Sequence, residues 1–135
     1  MASLPYIINI PNHVFENLKN GNITHFATIN AGREAKIRIN ETIMFCNQHS
    51  EHYLVYIGNI SRFNSIAEAF SAIPFSRFYP GIRDLNFAIG LFNKVTAKKQ
   101  EKFKTTNIVA FELKPSPNKI DPGIVFELKN KKTDQ

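Results

Sequence analysis

The chain of 135 residues has no tryptophan, one cysteine and more base than acid. The single cysteine, Cys46, excludes an internal disulfide and any zinc site built from several cysteines. Its setting, Ile43-Met44-Phe45-Cys46, reads as a strand end, where a free thiol packs as a small hydrophobe. No apolar run approaches the roughly 20 residues a membrane span needs, so no membrane partner is expected. The first residues, Met1-Ala2-Ser3-Leu4-Pro5, lack the basic and long apolar regions of a secretory signal. The expectation is an intracellular protein, its compartment unspecified. No P-loop, dinucleotide-binding, zinc-protease or nucleophile-elbow motif occurs. His49 and His52 share a turn with Cys46 and Glu51. That cluster is local, whereas a metal site draws ligands from more than one element. No metal and no cofactor are expected. Glu16, Glu34, Glu41, Glu51, Glu68 and Asp84 are not paired by spacing, so no catalytic residue is assigned.

Seventeen basic against eleven acidic residues give a net charge of +6 and a pI of about 9.6. Such a balance favours polyanionic partners. It is equally compatible with a basic protein that has none. The basic residues form three groups. Arg33, Lys36 and Arg38 lie on or beside one strand. Arg62, Arg77 and Arg83 sit in the loops around the middle helix. Lys94, Lys98, Lys99, Lys102 and Lys104 form a connector before the closing strand.

The order of the parts carries more. Tyr6 to Ile10 is β-branched and aromatic, a strand stopped by Pro11. Asn12 is placed to cap a short helix whose face is Val14, Phe15 and Leu18 and whose terminator is Gly21. Residues 23–30 read as a strand with Ile23, His25, Ala27 and Ile29 on one face and Thr24, Phe26, Thr28 and Asn30 on the other. Neither face is clearly polar, so both are expected to be partly covered. After a turn at Ala31 to Glu34, a strand from Lys36 to Phe45 points Ile37, Ile39, Ile43 and Phe45 inward and Lys36, Arg38, Asn40 and Thr42 outward. Tyr53 to Ile60 is a further strand. Ser65-Ile66-Ala67-Glu68 is a capping box, and Asp84 caps a helix with the apolar stripe Leu85, Ala88, Ile89 and Phe92. Ile108 to Leu113 is a strand, echoed after a Pro-rich break by Gly123 to Lys129 before a polar, frayed tail. Strands this short and irregular argue for one α+β domain over residues 1–135, a small barrel of five to seven strands with two or three flanking helices.

At this point the chain resembles an ASCH domain, a PUA-like β-barrel. Phe15-Glu16-Asn17-Leu18-Lys19-Asn20-Gly21 matches the family's opening helix and its glycine, and Asn30 a polar residue closing the next strand. Ile39 to Phe45 is similar to the family's strand entry, with Asn40-Glu41 for Gly-Asp. Phe63 to Phe70 resembles its phenylalanine-serine helix start, and Tyr79-Pro80-Gly81 the turn before a later helix. Gln100 to Phe103 and Ile108 to Phe111 resemble the closing segment. The resemblance covers about residues 12–114.

The family's charged Gly-x-Lys-x-x-Glu-x-Arg signature is degenerate here. The signature lysine falls on Ile23 or Asn22, the glutamate on Phe26 and the arginine on Thr28. Relatives that hydrolyse an acylated cytidine use a lysine, a threonine and a glutamate; the first two fall on Ile23 and Phe26. Isoleucine cannot act as base or nucleophile, and phenylalanine cannot exchange a proton. The resemblance therefore implies binding more than turnover: RNA or a nucleotide-like ligand in a cleft lined by Asn22, Thr24, His25, Phe26 and Thr28. Phosphates would meet Arg33, Lys36, Arg38, Lys98, Lys99 and Lys102. Two alternatives stay open. One is a hydrolase on a modified nucleoside, or a ribonuclease, with a rearranged site. The other is a protein-interaction module with a degenerate cleft.

Overall fold

The computed structural model describes residues 5–115. Strand β1 (Tyr6–Asn9) leads into helix α1 (Asn12–Lys19) and strand β2 (His25–Ile29). A 3₁₀ turn at Gly32–Lys36 precedes β3 (Thr42–Cys46) and the long β4 (His52–Phe63). Helix α2 (Ile66–Ala72), a 3₁₀ turn at Phe75–Arg77, helix α3 (Leu85–Phe103) and β5 (Ile108–Pro115) follow. The five strands form one sheet in the order β1-β3-β4-β5-β2, with β1 parallel to β3 and the other neighbours antiparallel. This is the α+β architecture expected.

The sheet curls into a half-barrel. Phe26 on β2 meets Phe45 on β3 edge-on, ring centroids 5.5 Å apart, although two strands separate them in the sheet. Inside the curl, Ile43, Phe45, Val55, Ile57, Val109, Phe111 and Leu113 make one core, closed by Leu18 of α1 and by Ile37. On the outer face, Ile29, Ile108 and Ala110 pack against Ile66, Ala69 and Phe70 of α2 and Ala88 and Phe92 of α3. Both faces of β2 are thus covered, as its mixed pattern implied.

Local chemistry explains most element ends. The Ser65 hydroxyl accepts the Glu68 N–H at 3.2 Å as in a capping box, while the Glu68 carboxylate reaches one residue beyond the cap and accepts the Asn64 N–H at 2.9 Å. Asp84 accepts the Phe87 N–H at the start of α3. Gly21 takes φ +81, the left-handed region that ends α1 at no steric cost.

Three expectations are corrected. Asn12 does not cap α1: Pro11 occupies that position, and Asn12 Oδ1 instead accepts from Asn47 Nδ2 at 2.8 Å. Lys36 to Phe45 is not one strand. Ile37 turns in to plug the barrel while Ile39 is 55% exposed, and the β3 strand begins only at Thr42, after Asn40 and Glu41 have bonded Ile57 of β4. Glu41, the residue that breaks the alternation, accepts the Arg38 N–H at 2.7 Å and folds that stretch into a turn. The lysine-rich connector is the second half of α3, which runs to Phe103 and ends on Lys104 at φ +52. The second proline-flanked strand at Gly123 to Lys129 and the tail lie outside the described residues.

Candidate nucleic-acid interface

Strand β2 is an edge of the sheet, paired only with β5. Thr24 O accepts the Leu113 N–H and Asn30 N donates to Asn107 O, so the even-numbered residues bond to β5 and the amides of His25 and Ala27 face the free edge. The opposite edge is β1. Arg33, in the Gly32–Lys36 turn, donates from Nη2 to Ile7 O at 2.6 Å and bridges the seam between the two edges.

The proposed cleft residues divide across this strand. Phe26 points into the barrel against Phe45, and Thr28 is buried nearby. Ile23 is packed in the same core. His25 points the other way, half-buried, its ring 5.5 Å from that of Phe78. Its Nδ1 shares a 2.9 Å hydrogen bond with Thr24 Oγ1. Burial lowers the His25 pKa; the Glu112 carboxylate across the β2–β5 pair opposes this and Arg77 adds to it. Asn22 is exposed and donates to Asn17 Oδ1. The period-two alternation of a strand makes this division unavoidable: Phe26 and Thr28 share one side, His25 the other. Glu112 was not foreseen. Its Oε1 accepts the Asn59 N–H where β4 places Gly58 and Asn59 opposite one residue of β5.

The basic residues are partly gathered. Lys99 Nζ lies 2.9 Å from Glu34 Oε2 and 3.5 Å from Thr28 Oγ1, fastening α3 to the Gly32–Lys36 turn and to β2. Burial acts to raise the Glu34 pKa, but the Lys99 hydrogen bond, its own backbone N–H and the charges of Lys99 and Arg33 outweigh it, and the net shift is downward. The Phe103 ring lies against Gly32, where φ +65 and a Cζ only 3.0 Å from any added Cβ both call for glycine. Lys102 Nζ sits 5.3 Å over the same ring. Arg62 reaches Ala35 O at 3.5 Å. The first and third basic groups therefore meet at the junction of this turn and α3, joined by Arg62 of the second. Lys36, Lys98 and Lys102 are exposed there, and among the described residues no carboxylate pairs with them. Arg38 is exposed beyond the turn. Arg77 is at the far end of β2, where its carbonyl accepts the Thr24 N–H. The Glu34–Lys99 pair was missed because it spans 65 residues of sequence, which no spacing rule reads. The alignment of Lys94, Lys98 and Lys102 was available, since nothing between Leu85 and Phe103 breaks a helix except Gly90.

No group of three His, Cys, Asp or Glu side chains that could hold a metal ion occurs among the described residues. Among the same residues no helix is long and apolar enough to cross a membrane.

No protein-family model and no curated protein matches the chain. Solved structures do. The hypothetical protein PH0355 superposes with a TM-score of 0.71 at 16% identity, over 83% of this chain and 99% of that one. The ASCH domain from Lactobacillus crispatus gives 0.61 at 10% identity over 77% and 70%. A variant of the ASCH protein from Zymomonas mobilis gives 0.58 at 10% identity over 95% and 83%. The fold is that of an ASCH domain. In this ASCH fold Arg33 bridges the seam between β1 and β2, with exposed lysines beside it.

Proposed function

We propose that this ASCH-fold protein binds RNA or a nucleotide-like ligand, with phosphates at the junction of the Gly32–Lys36 turn and α3. The observation that carries this reading is the 2.9 Å Lys99–Glu34 pair. It fastens two separate basic segments together and leaves Lys36, Lys98 and Lys102 free to contact phosphate. Lys99 and Arg33 organise the patch, and Arg38 extends it. Asn22, Thr24 and His25 border the β2 edge, where amide, hydroxyl and imidazole groups recognise base edges as RNA-binding modules do. Phe26 and Thr28 shape the barrel wall behind them.

The test is fluorescence anisotropy with RNA at low and physiological salt. The expected result is binding that falls steeply with salt and is lost in Lys36→Glu/Lys98→Glu/Lys102→Glu. Absence of RNA binding at low salt, with a protein partner captured instead, would overturn it. A second reading, hydrolysis of a modified nucleoside, rests on the Thr24–His25 hydrogen bond and the depressed His25 pKa, which suit a general base near neutral pH. Turnover that disappears in both His25→Gln and Thr24→Val would select it.

A further inference from the structure

Resting on that reading, we propose that the nucleic acid is single-stranded. Its platform is one solvent-facing flank of α3, where Phe87 stacks a base and Lys94, Lys98 and Lys102 follow the phosphates. Ala88, Phe92 and Thr96 bury the opposite side of the helix. Lys94, Lys98 and Lys102 recur every fourth residue, so they form a line with steps of about 6 Å along the axis. Phe87 lies seven residues before Lys94, two turns away on the same line. From Phe87 to Lys102 the line spans on the order of 22 Å.

Phe87 is 62% exposed, and Val95, on the same flank, is 71% exposed. Single exposed apolar residues are ordinary on protein surfaces. An exposed aromatic in line with three cations is a composite feature. The other exposed flank of α3 carries Asn86, Asn93, Ala97 and Glu101, and its one cation is Lys104 at the helix end, beside Glu101. The helix thus presents an unbroken line of cations with an exposed aromatic on one side only, the side that also carries Lys99 towards the Gly32–Lys36 turn. Charge complementarity selects an anionic occupant. The aromatic selects its form. A ring face gains by stacking on a base that is itself unstacked, which a single strand offers. An A-form duplex keeps its bases stacked and shows the flank only phosphates and sugar hydroxyls. It would engage the lysines and leave Phe87 without a partner.

The experiment uses the full chain and a labelled RNA of about 12 nucleotides, single-stranded or as a duplex of equal length. The single strand is expected to bind more tightly than the duplex. Phe87→Ala should weaken single-strand binding roughly tenfold and leave duplex binding and the salt slope unchanged. Phe87→Tyr should retain the platform. Lys98→Ala should weaken both forms and reduce the salt slope by about 1. Because Phe87 is exposed, its replacement does not threaten folding. Equal binding of both forms, or a silent Phe87→Ala, would overturn the inference while leaving the proposed function standing. Binding to phosphatidylserine vesicles that is lost in Phe87→Ala, with RNA binding unaffected, would assign the flank to a membrane instead. No RNA binding in either form would overturn the underlying reading itself.

Discussion

Replacing Lys99 with methionine removes the ammonium that fastens α3 to the Gly32–Lys36 turn and keeps an unbranched stem. The two charged side chains are only 21% and 16% exposed, so the Glu34 carboxylate left behind stays largely desolvated. Its remaining partner is Arg33 at 3.4 Å, whose side chain is 53% exposed and offers a weaker, solvent-screened contact. Stranding one member of a fully buried pair costs roughly 3–5 kcal/mol, and losing an exposed pair under about 1 kcal/mol. The depth of this pair puts the loss near 2 kcal/mol, or roughly 5–8 °C in Tm for a domain of this size. The pH dependence has a fixed sign. Glu34's folded-state pKa is lowered, so its contribution is present above the ordinary carboxylate range and disappears as pH falls through the folded value. Urea denaturation of wild type, Lys99→Met, Glu34→Gln and the double variant, at about pH 7 and about pH 3, reads this out. Lys99→Met should be destabilised at the higher pH, less so at the lower, and partly rescued by Glu34→Gln. Equal destabilisation at both pH values would refute the electrostatic account.

Gly58→Ala should cost about 0.5–1.5 kcal/mol, because the new Cβ would push aside the Glu112 carboxylate that accepts the exposed Asn59 N–H and would crowd the end of Lys114; an unchanged urea midpoint would show that Glu112 moves aside freely. An NMR titration of His25 should give a midpoint below the ordinary 6.5, with the Phe78 ring shifts following it, and a midpoint at or above 6.5 would refute the burial argument. Since His25 binds its proton more readily when unfolded, it makes the fold less stable as pH falls below that ordinary value.

Much of the fold was legible in residues acting locally. The alternation of Ile43 and Phe45, the Ser65–Glu68 box, Asp84 before an apolar stripe and Gly21 after a short helix each report a rule that operates within one or two turns of chain. The reading failed where a distant contact overrode a local preference. Asn12 has the chemistry of a helix cap, yet its oxygen is taken by Asn47, 35 residues later. Ile37 and Ile39 alternate like strand residues, but the barrel needs a plug at Ile37 and the Arg38–Glu41 turn leaves Ile39 exposed. The lysines from 94 to 104 read as a connector because charge was weighed before helical spacing.

The candidate site divides along the same line. Sequence alone determined which residues have the right chemistry, the excess of base over acid, and the alternation that sends Phe26 and His25 to opposite faces of β2. Tertiary structure decided which cations are available. Only folding brings Glu34 to Lys99, which engages that ammonium and leaves Lys36, Lys98 and Lys102 exposed beside it. The physical reason is range. Propensity, capping and periodicity act over a few residues, whereas desolvation and ion pairing depend on neighbours in space, and the curl of the sheet chooses those neighbours.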